Sequence, residues 1–553
     1  MKEMLSFQDI TWCWRLIRHR RGKYWALVLL SVWKGVAPAL SPFITKMIID
    51  AALSRAIPMF WDSIWLMLAF LGVNTIVGYL SGILAFRFMN LCRIDLQQSH
   101  IATVFSKPYE AIDQMTQGEW ITLLQSDAGV IARQIAYLGP QAVMIVVRII
   151  ALLIALLLFN TLYALILLAA SLIAMLVMLW LRKKVMPLHY EARKSEEGVS
   201  SLLQEIFVNS AMIRVFDMLK NIRHRLREQQ ENLMNKYDRK NKIHVAAATA
   251  FSSSNQLVYF VALIWGGIGI MQGRLSYGSM MAIAQLTSRI QGTAVDITAL
   301  FPNLYTLVTS ISRMRAADER ESPDARVYDV SKTLEALEFK DVSFGYHGAC
   351  LLLSRLSFRV DRPGVLGIKG ETGKGKTTLL KLMLGLYQPD EGSIRLILRS
   401  QEALDVFHSR GAFGYVSQSF QLFSGSLGDN IAAFCEDIPT ETIRQAAKDA
   451  CIHDFIMGLP EGYDTLIQEY HQGLSQGQAQ RVAIARALAN PAPIIIFDEA
   501  TSALDSKIEQ KVLQNITRDN RRILIFVSHR PEVWGLCGTV YTLSDQGALI
   551  PGP

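Results

Sequence analysis

At 553 residues the chain has room for about three or four domain-sized units of ~150 residues each. Hydrophobic residues make up 51% and charged residues 19%, with a mean hydropathy of +0.24, which excludes a soluble enzyme of this size unless long segments sit in lipid. The net charge of +8 admits nucleic acid or a membrane surface; the basic residues lie in loops between apolar segments, which favours the membrane.

From the N-terminus, residues 5–22 alternate Leu5, Phe7, Ile10, Trp14, Leu16 and Ile17 with Arg15, Arg18, Arg20 and Arg21, a pattern for an amphipathic helix on an anionic leaflet. Six apolar stretches follow, near 25–49, 64–86, 138–159, 162–181, 250–271 and 280–307. Each is about 20 residues or more, enough to cross a hydrocarbon core of ~30 Å as a helix. The first is too long for a signal peptide and lacks a small-residue cleavage site, so it reads as a retained span.

The connections after the first, third and fifth spans are short and nearly uncharged. Those after the second and fourth are long and rich in Lys and Arg, which puts them and both termini in the cytoplasm. Their apolar periodicity predicts helices that continue beyond the bilayer, with tips near Ser126-Asp127-Ala128 and near Arg214–Leu219 available to press on another domain. The cysteines Cys13, Cys92, Cys350, Cys435, Cys451 and Cys537 fall in cytoplasmic segments without a C-x-x-C pair, so neither a disulfide framework nor a zinc site is expected.

Three spans carry charge about ten residues in, at Lys34, Arg148 and Arg289. A lipid-facing charge there would cost several kcal/mol, so these side chains are expected to face an internal cavity. Gln285, Arg289, Gly292 and Asp296 recur at helical spacing as one polar stripe, and Ser252–Gln256 adds polar groups. The alternative is an interhelical lock in which Asp296 neutralises one of the cations.

Hydrophobicity falls after Arg315, and a charged, proline-punctuated linker is expected at 318–333 between a membrane domain at 1–317 and a second domain at 334–553. From 334, short β-like runs alternate with helices, the signature of an α/β layer around a mostly parallel sheet. Tyr346 is a candidate to stack on a purine ring. The apolar run Val365–Ile368 leads into Gly370-Glu371-Thr372-Gly373-Lys374-Gly375-Lys376-Thr377-Thr378 and then a helical run. This G-x-x-x-x-G-K-T spacing is the Walker A pattern: backbone amides cradle phosphate, Lys376 reaches the β- and γ-phosphates, and Thr377 ligates Mg²⁺. Ile494–Phe497 is an aliphatic strand ending in Asp498 and Glu499, which places two acids at the ligand edge of a sheet. Asp498 suits the Mg²⁺ shell and Glu499 the polarisation of an attacking water.

Four more elements accompany them: Gln418 in Gly414–Gln418; Leu474-Ser475-Gln476-Gly477-Gln478 opening a helix; Ser502-Ala503-Leu504-Asp505; and Val527-Ser528-His529-Arg530. Together with the two Walker elements they resemble the ABC ATPase family, over about 200 residues. With six preceding spans the chain resembles an ABC exporter half-transporter, a membrane α-helical domain of exporter type fused to an α/β P-loop ATPase domain. The resemblance implies an ATP hydrolase coupled to transport, with ATP and Mg²⁺ as cofactors. It assigns Gln418 to the Q-loop, also near Mg²⁺, 474–478 to the signature, Asp505 to the D-loop and His529 to the switch. It further implies a partner half-transporter, expected as a second copy, with Gly370–Thr378 of one chain facing Leu474–Gln478 of the other. The expected location is the inner or plasma membrane, with the ATPase domain in the cytoplasm, no nucleic-acid partner, and the lipid bilayer as surroundings.

This chain departs from the family pattern in reading LSQGQ for LSGGQ, in Ile467–His471 lacking the usual glycines, and in placing Lys374 where a small residue is common. The expected cargo is a peptide or other amphipathic solute with carboxylates, since the spans carry mid-depth cations. A lipid or multidrug exporter, an importer of this fold, and an ATP-gated regulator or channel remain alternatives.

Overall fold

The computed structural model describes residues 7–551 apart from Asn160, 319–332, 347–350, Thr372, Gln401, Arg410, 468–472, Asp519 and Asp545. The side chains of 166–186 are also outside the described set, as are Thr372 of the Walker A loop, Cys350, nearly all of the expected linker, and residues 468–471 before the signature. The chain forms two compact units: Met1–Ile101 with Gln117–Glu319, and Ala102–Thr116 with Arg320–Pro553.

The first unit is helical. After α1 (Phe7–Ile17) come α2 (Arg21–Leu53), α3 (Ile57–Phe105), α4 (Tyr109–Asp113), α5 (Gln117–Ile121), α6 (Ala128–Phe159), α7 (Thr161–Val208), α8 (Ser210–Val215), α9 (Leu219–Met271) and α10 (Tyr277–Asp318); of these α4 and the end of α3 belong to the second unit. All six expected spans lie within α2, α3, α6, α7, α9 and α10. Three stretches, Arg21–Leu53, Ile57–Phe105 and Gly118–Phe159, are long and apolar enough to cross a membrane among the described residues. The 53-residue α9 reaches about 80 Å at 1.5 Å per residue, more than twice a hydrocarbon core of ~30 Å, so its polar N-terminal half extends well past the bilayer.

Two apolar clusters hold these helices together. One gathers Leu27, Phe88, Ile131, Leu138, Ile311 and Met314, and the other Leu152, Leu156, Tyr163, Ile283 and Leu286. Arg20, just before α2, pairs with Asp95 of α3 through two bonds of 2.6 and 2.8 Å. Trp65, Tyr79 and Phe86 of α3 stay exposed, as lipid-facing side chains should.

The tip expected at Ser126–Ala128 is corrected by the structure. Asp127 ends a π-helical turn (Thr122–Asp127) and is buried inside the first unit, accepting bonds of 2.7 Å from Ser310 and Arg313 of α10. The chain reverses earlier, where Pro108 cannot continue α3 and instead caps the short α4. The other expected tip is the turn around α8, where Phe207, Val208, Val215 and Phe216 are exposed.

In the second unit, β1 (Leu334–Phe344), β2 (Leu353–Asp361), β4 (Glu391–Leu398) and β5 (Ala403–Asp405) form an antiparallel sheet in the order β2-β1-β4-β5. A six-stranded sheet runs β12-β11-β3-β10-β9-β6, from β3 (Gly364–Lys369), β6 (Phe413–Val416), β9 (Ile494–Asp498), β10 (Ile523–Val527), β11 (Thr539–Leu543) and β12 (Leu549–Pro551). The little strands β7 (Gly425–Ser426) and β8 (Leu466–Ile467) pair with each other. The helices are α11 (Lys376–Met383), α12 (Leu427–Ile431), α13 (Thr440–Asp449), α14 (His453–Met457), α15 (Gln476–Ala489), α16 (Ser506–Thr517) and α17 (Pro531–Trp534).

Side chains alternate across β9. Ile494 and Ile496 join Leu337, Phe339 and Leu396 of the antiparallel sheet in one core, while Ile495 and Phe497 join α12–α16 in another. A strand buried on both faces must read as a continuous aliphatic run, which is what Ile494–Phe497 shows.

Candidate functional site

The central strands of the larger sheet are parallel and in register, so their C-terminal ends come side by side. Val527 of β10 lies opposite Ile368 of β3 on one side and Asp498 of β9 on the other. The Gly370 loop, the acids 498–499 and His529 therefore emerge at one sheet edge, although some 130 to 160 residues separate the first from the others in sequence. The loop turns into α11 at Gly375, whose φ of +96° is open to glycine and strained for other residues.

Glu499 stands at the centre of this edge. Gln418 Nε2 donates to its Oε2 at 3.1 Å, Lys376 Nζ lies 3.7 Å from its Oε1, and His529 Nδ1 lies 3.5 Å from the same oxygen. Lys376 Nζ also donates to the Gly370 carbonyl at 2.8 Å, so it folds back across the loop where phosphates would lie. Glu499 itself has φ +49°, a left-handed conformation that costs a residue with a side chain about 1–3 kcal/mol. The surrounding backbone holds it there: its N–H donates to Val527 O at 2.8 Å, and its carbonyl accepts from Ser502 N at 3.1 Å.

Asp498 accepts from the Tyr415 hydroxyl at 3.2 Å. Burial pushes its carboxyl above the usual range and the neighbouring Glu499 charge adds to this, while the Tyr415 bond and Lys376 work in the opposite direction. Burial beside Asp498 raises the Tyr415 phenol as well. Tyr346 sits half-buried, its hydroxyl 3.2 Å from Thr378 Oγ1 and its ring edge-on to Phe344 and Tyr387. Lys374 pairs with Glu371 at 2.9 Å within the loop, and Thr377 is exposed on the first turn of α11.

Ser475 and Gln478 close a capping box at the N-terminus of α15, with bonds of 3.3 and 2.8 Å, and Ser475 and Gln476 are exposed. Gly477 passes so close to the next loop that a Cβ would lie 2.9 Å from Ala503 O. Among the described residues, no hydrogen bond or ion pair joins 475–478 to the Gly370–Thr378 loop of the same chain. Asp505 uses its carboxylate to cap α16, accepting from Lys507 N and Ile508 N at 3.2 and 3.0 Å.

The family profile described as ABC transporter transmembrane region matches residues 24–294, and the one described as ABC transporter matches 353–502. The chain belongs to the ABC transporter family. It is an integral membrane protein in which a helical exporter-type domain is fused to a cytoplasmic ABC ATPase domain, the part that binds ATP. A "Probable ABC transporter ATP-binding/permease protein" of Haemophilus influenzae is 32% identical over 56% of this chain and 55% of its own length. The Bacillus subtilis "Uncharacterized ABC transporter ATP-binding protein YfiC" is 25% identical over 94% of this chain and 86% of its own. The "Leukotoxin translocation ATP-binding protein LktB" of Mannheimia haemolytica is 34% identical over 50% of this chain and 39% of its own. The chain thus spans about half the length of the first of these relatives. Among solved structures, a bacterial Atm1-family ABC exporter with ATP bound shares the fold, with a TM-score of 0.80 and 24% identity over 96% of this chain and 94% of that one.

Around the transporter's nucleotide edge stand residues that sequence reasoning missed. Gln480, fully buried on α15, donates to Glu499 O at 3.4 Å and accepts from Ala503 N at 3.1 Å, so one side chain ties the signature helix to the turn carrying Glu499. Arg530 bonds Glu509 at 2.6 Å and Ser502 O at 2.7 Å. Within the second unit, α4 docks beside α11: Tyr387 and Lys381 both donate to Asp113, at 2.6 and 3.1 Å, and the Tyr109 ring lies edge-on to Tyr387.

The expected membrane cations divide. Arg148 and Asp296 form an ion pair at 2.6 Å, the interhelical lock, so neither offers a free charge. Lys34 donates to Ser81 of α3. Gln285 and Arg289 line a cavity.

Proposed function

We propose that this chain is an ATP-driven exporter that works as a homodimer and carries an amphipathic solute with a carboxylate, such as a peptide. The observation that carries the ATPase part is the convergence of Lys376, Gln418 and His529 on Glu499, with Asp498 adjacent. In this reading the 370–378 loop and Lys376 hold the β- and γ-phosphates, and Tyr346 lies under the base. Glu499 takes the proton of the attacking water, while Gln418 and His529 report on the γ-phosphate. The Thr377 hydroxyl, the Gln418 amide oxygen and the Asp498 carboxylate are hard oxygen donors of the kind Mg²⁺ accepts alongside phosphates and water. When bound there, the ion would neutralise charge between the β- and γ-phosphates. Burial of Asp498 keeps its carboxylate poorly solvated, which favours meeting a cation over staying alone.

The family resemblance implies the dimer, and chemistry gives it a reason. The exposed Ser475 and the N-terminus of the 14-residue α15 present donors to an anion, but not to the loop of their own chain. A second copy in head-to-tail contact completes both sites. The exposed apolar turn around α8 gives a second surface for that copy. An intact Glu499 favours a pump over an ATP-operated gate, which needs no efficient hydrolysis. For the cargo, support comes from Arg289, and from LktB, whose name speaks of leukotoxin translocation.

The purified chain, reconstituted alone in liposomes, should hydrolyse ATP and migrate as a dimer. Hydrolysis that begins only when a different half-transporter is added would overturn the homodimer.

A further inference from the structure

Helices α2, α3 and α10 line a half-open cavity of about 360 Å³ within the first unit. Its walls alternate in character. Ala37, Pro38, Met67, Phe70 and Leu71 are apolar, whereas Ser41, Asn74, Gln285 and Arg289 are polar. Spacings of i, i+4 on α2 and α10 and of i, i+3, i+4, i+7 on α3 turn one face of each helix inward. Four of these polar groups have nothing to bind. Among the described residues, Arg289 makes no ion pair, and the side chains of Asn74 and Gln285 have no hydrogen-bond partner. Ser41, only 9% exposed, leaves its hydroxyl buried without a partner, while Thr45 turns its own back onto Ser41 O at 3.1 Å. Pro42 has no N–H, so the Pro38 carbonyl in the cavity wall lacks its α-helical donor.

The Ser41 hydroxyl is the buried member of this set, Asn74 and Gln285 are half-buried and Arg289 is exposed towards the opening; unpartnered polar groups converging with one cation on an apolar-walled cavity are the pattern of a ligand site. We propose that this cavity binds the C-terminal carboxylate and last apolar residue of a peptide. The inference rests on the exporter reading only for the claim that the peptide is cargo. The charge arithmetic selects a single carboxylate: Arg148 is neutralised by Asp296, and Lys34 lies outside the lining with its ammonium on Ser81. Arg289 takes the carboxylate and Gln285, one turn away, its second oxygen; Asn74 and Ser41 meet the terminal amide, and the Pro38 carbonyl, which has no i+4 donor, accepts its N–H. Met67, Phe70 and Leu71 surround the side chain. The volume is at the low end for ligand pockets, about 300–1,000 Å³, so it takes one or two residues and not a whole peptide.

The test uses the full chain in neutral phosphatidylcholine nanodiscs without nucleotide, titrated calorimetrically with N-acetyl-phenylalanine and with its uncharged amide. The acid should bind at least about tenfold more tightly than the amide. Arg289→Gln should abolish that preference and Arg289→Lys retain part of it. Gln285→Glu serves as the second variant, because a carboxylate one turn from Arg289 should occupy it internally and exclude the acid without unfolding the bundle. Equal binding of acid and amide, or a preference that survives both Arg289→Gln and Gln285→Glu, would overturn the proposal. Displacement of the acid by phosphatidylglycerol added to the nanodiscs would overturn it in favour of a lipid headgroup. If the acid binds as expected but no ATP-dependent uptake of an N-acetylated peptide into inside-out vesicles follows, the pocket stands and the exporter reading fails.

Discussion

Replacing Gln480 with leucine isolates the link between the signature helix and the turn bearing Glu499. Leucine keeps the bulk of this fully buried side chain but removes its amide. The Ala503 N–H, bonded at 3.1 Å, then becomes a half-buried donor facing an apolar side chain, which costs up to about 1–3 kcal/mol. The longer contact to Glu499 O, 3.4 Å, adds less because that carbonyl also accepts from Ser502 N. A total of ~2–3 kcal/mol should lower the melting temperature of an ATPase unit of this size by about 4–12 °C. Glu499 sits in a left-handed conformation that its surroundings enforce, so its carboxylate should also drift and kcat fall by about tenfold or more while ATP affinity stays near wild type. Differential scanning fluorimetry of the full chain and ATPase kinetics read the two effects. A Gln480→Leu chain with unchanged melting and unchanged kcat would refute the idea that this amide holds the turn.

Two further outcomes follow from the ion pairs. Arg148→Met should destabilise the membrane unit, because it strands the half-buried Asp296 carboxylate, and Arg148→Met with Asp296→Leu should recover most of the loss in thermal unfolding; equal melting of the single and double variants would contradict the lock. The Tyr387 hydroxyl bond, then Lys381, holds the Asp113 carboxyl below its usual range. Its folded pKa is thus below the unfolded value of about 3.9, so its contribution is full above that pH and is lost as pH falls through the lower folded value. The protection of amides 109–113, relative to their intrinsic exchange rate at each pH, should stay constant down to about pH 4 and fall only below it; a loss of protection between pH 5 and 7 would count against it.

The sequence made the fold class legible because its signals are local. Aliphatic runs of span length dictate helices in lipid, and the Ile494–Phe497 run, mostly β-branched and ending in two acids, reads as a strand, which the structure buries on both faces. The nucleotide edge was legible for a related reason: parallel strands in register bring their C-terminal ends together whatever the sequence distance. What stayed hidden depended on partners far along the chain. Gln480 looks like any polar residue of a helix until Ala503 is seen beside it. Tyr387 and Asp113 are 274 residues apart, and nothing in either neighbourhood announces the other. Pro108 announces in the sequence only a helix breaker, whereas the structure shows that the same proline also caps α4. In the membrane unit the charges were visible, but which cation Asp296 would choose was a matter of packing, and Ser41 and Asn74 are too small a signal inside apolar spans to suggest a cavity.

The central claim is that Glu499 is the group on which ATP hydrolysis turns. Its most direct test is nucleotide retention and turnover by the purified Glu499→Gln chain, with Lys376→Ala as the companion that should lose ATP binding itself. Glu499→Gln should bind ATP normally, hold it in a closed dimer, and hydrolyse it at least about a hundredfold more slowly. Wild-type turnover by Glu499→Gln would contradict it.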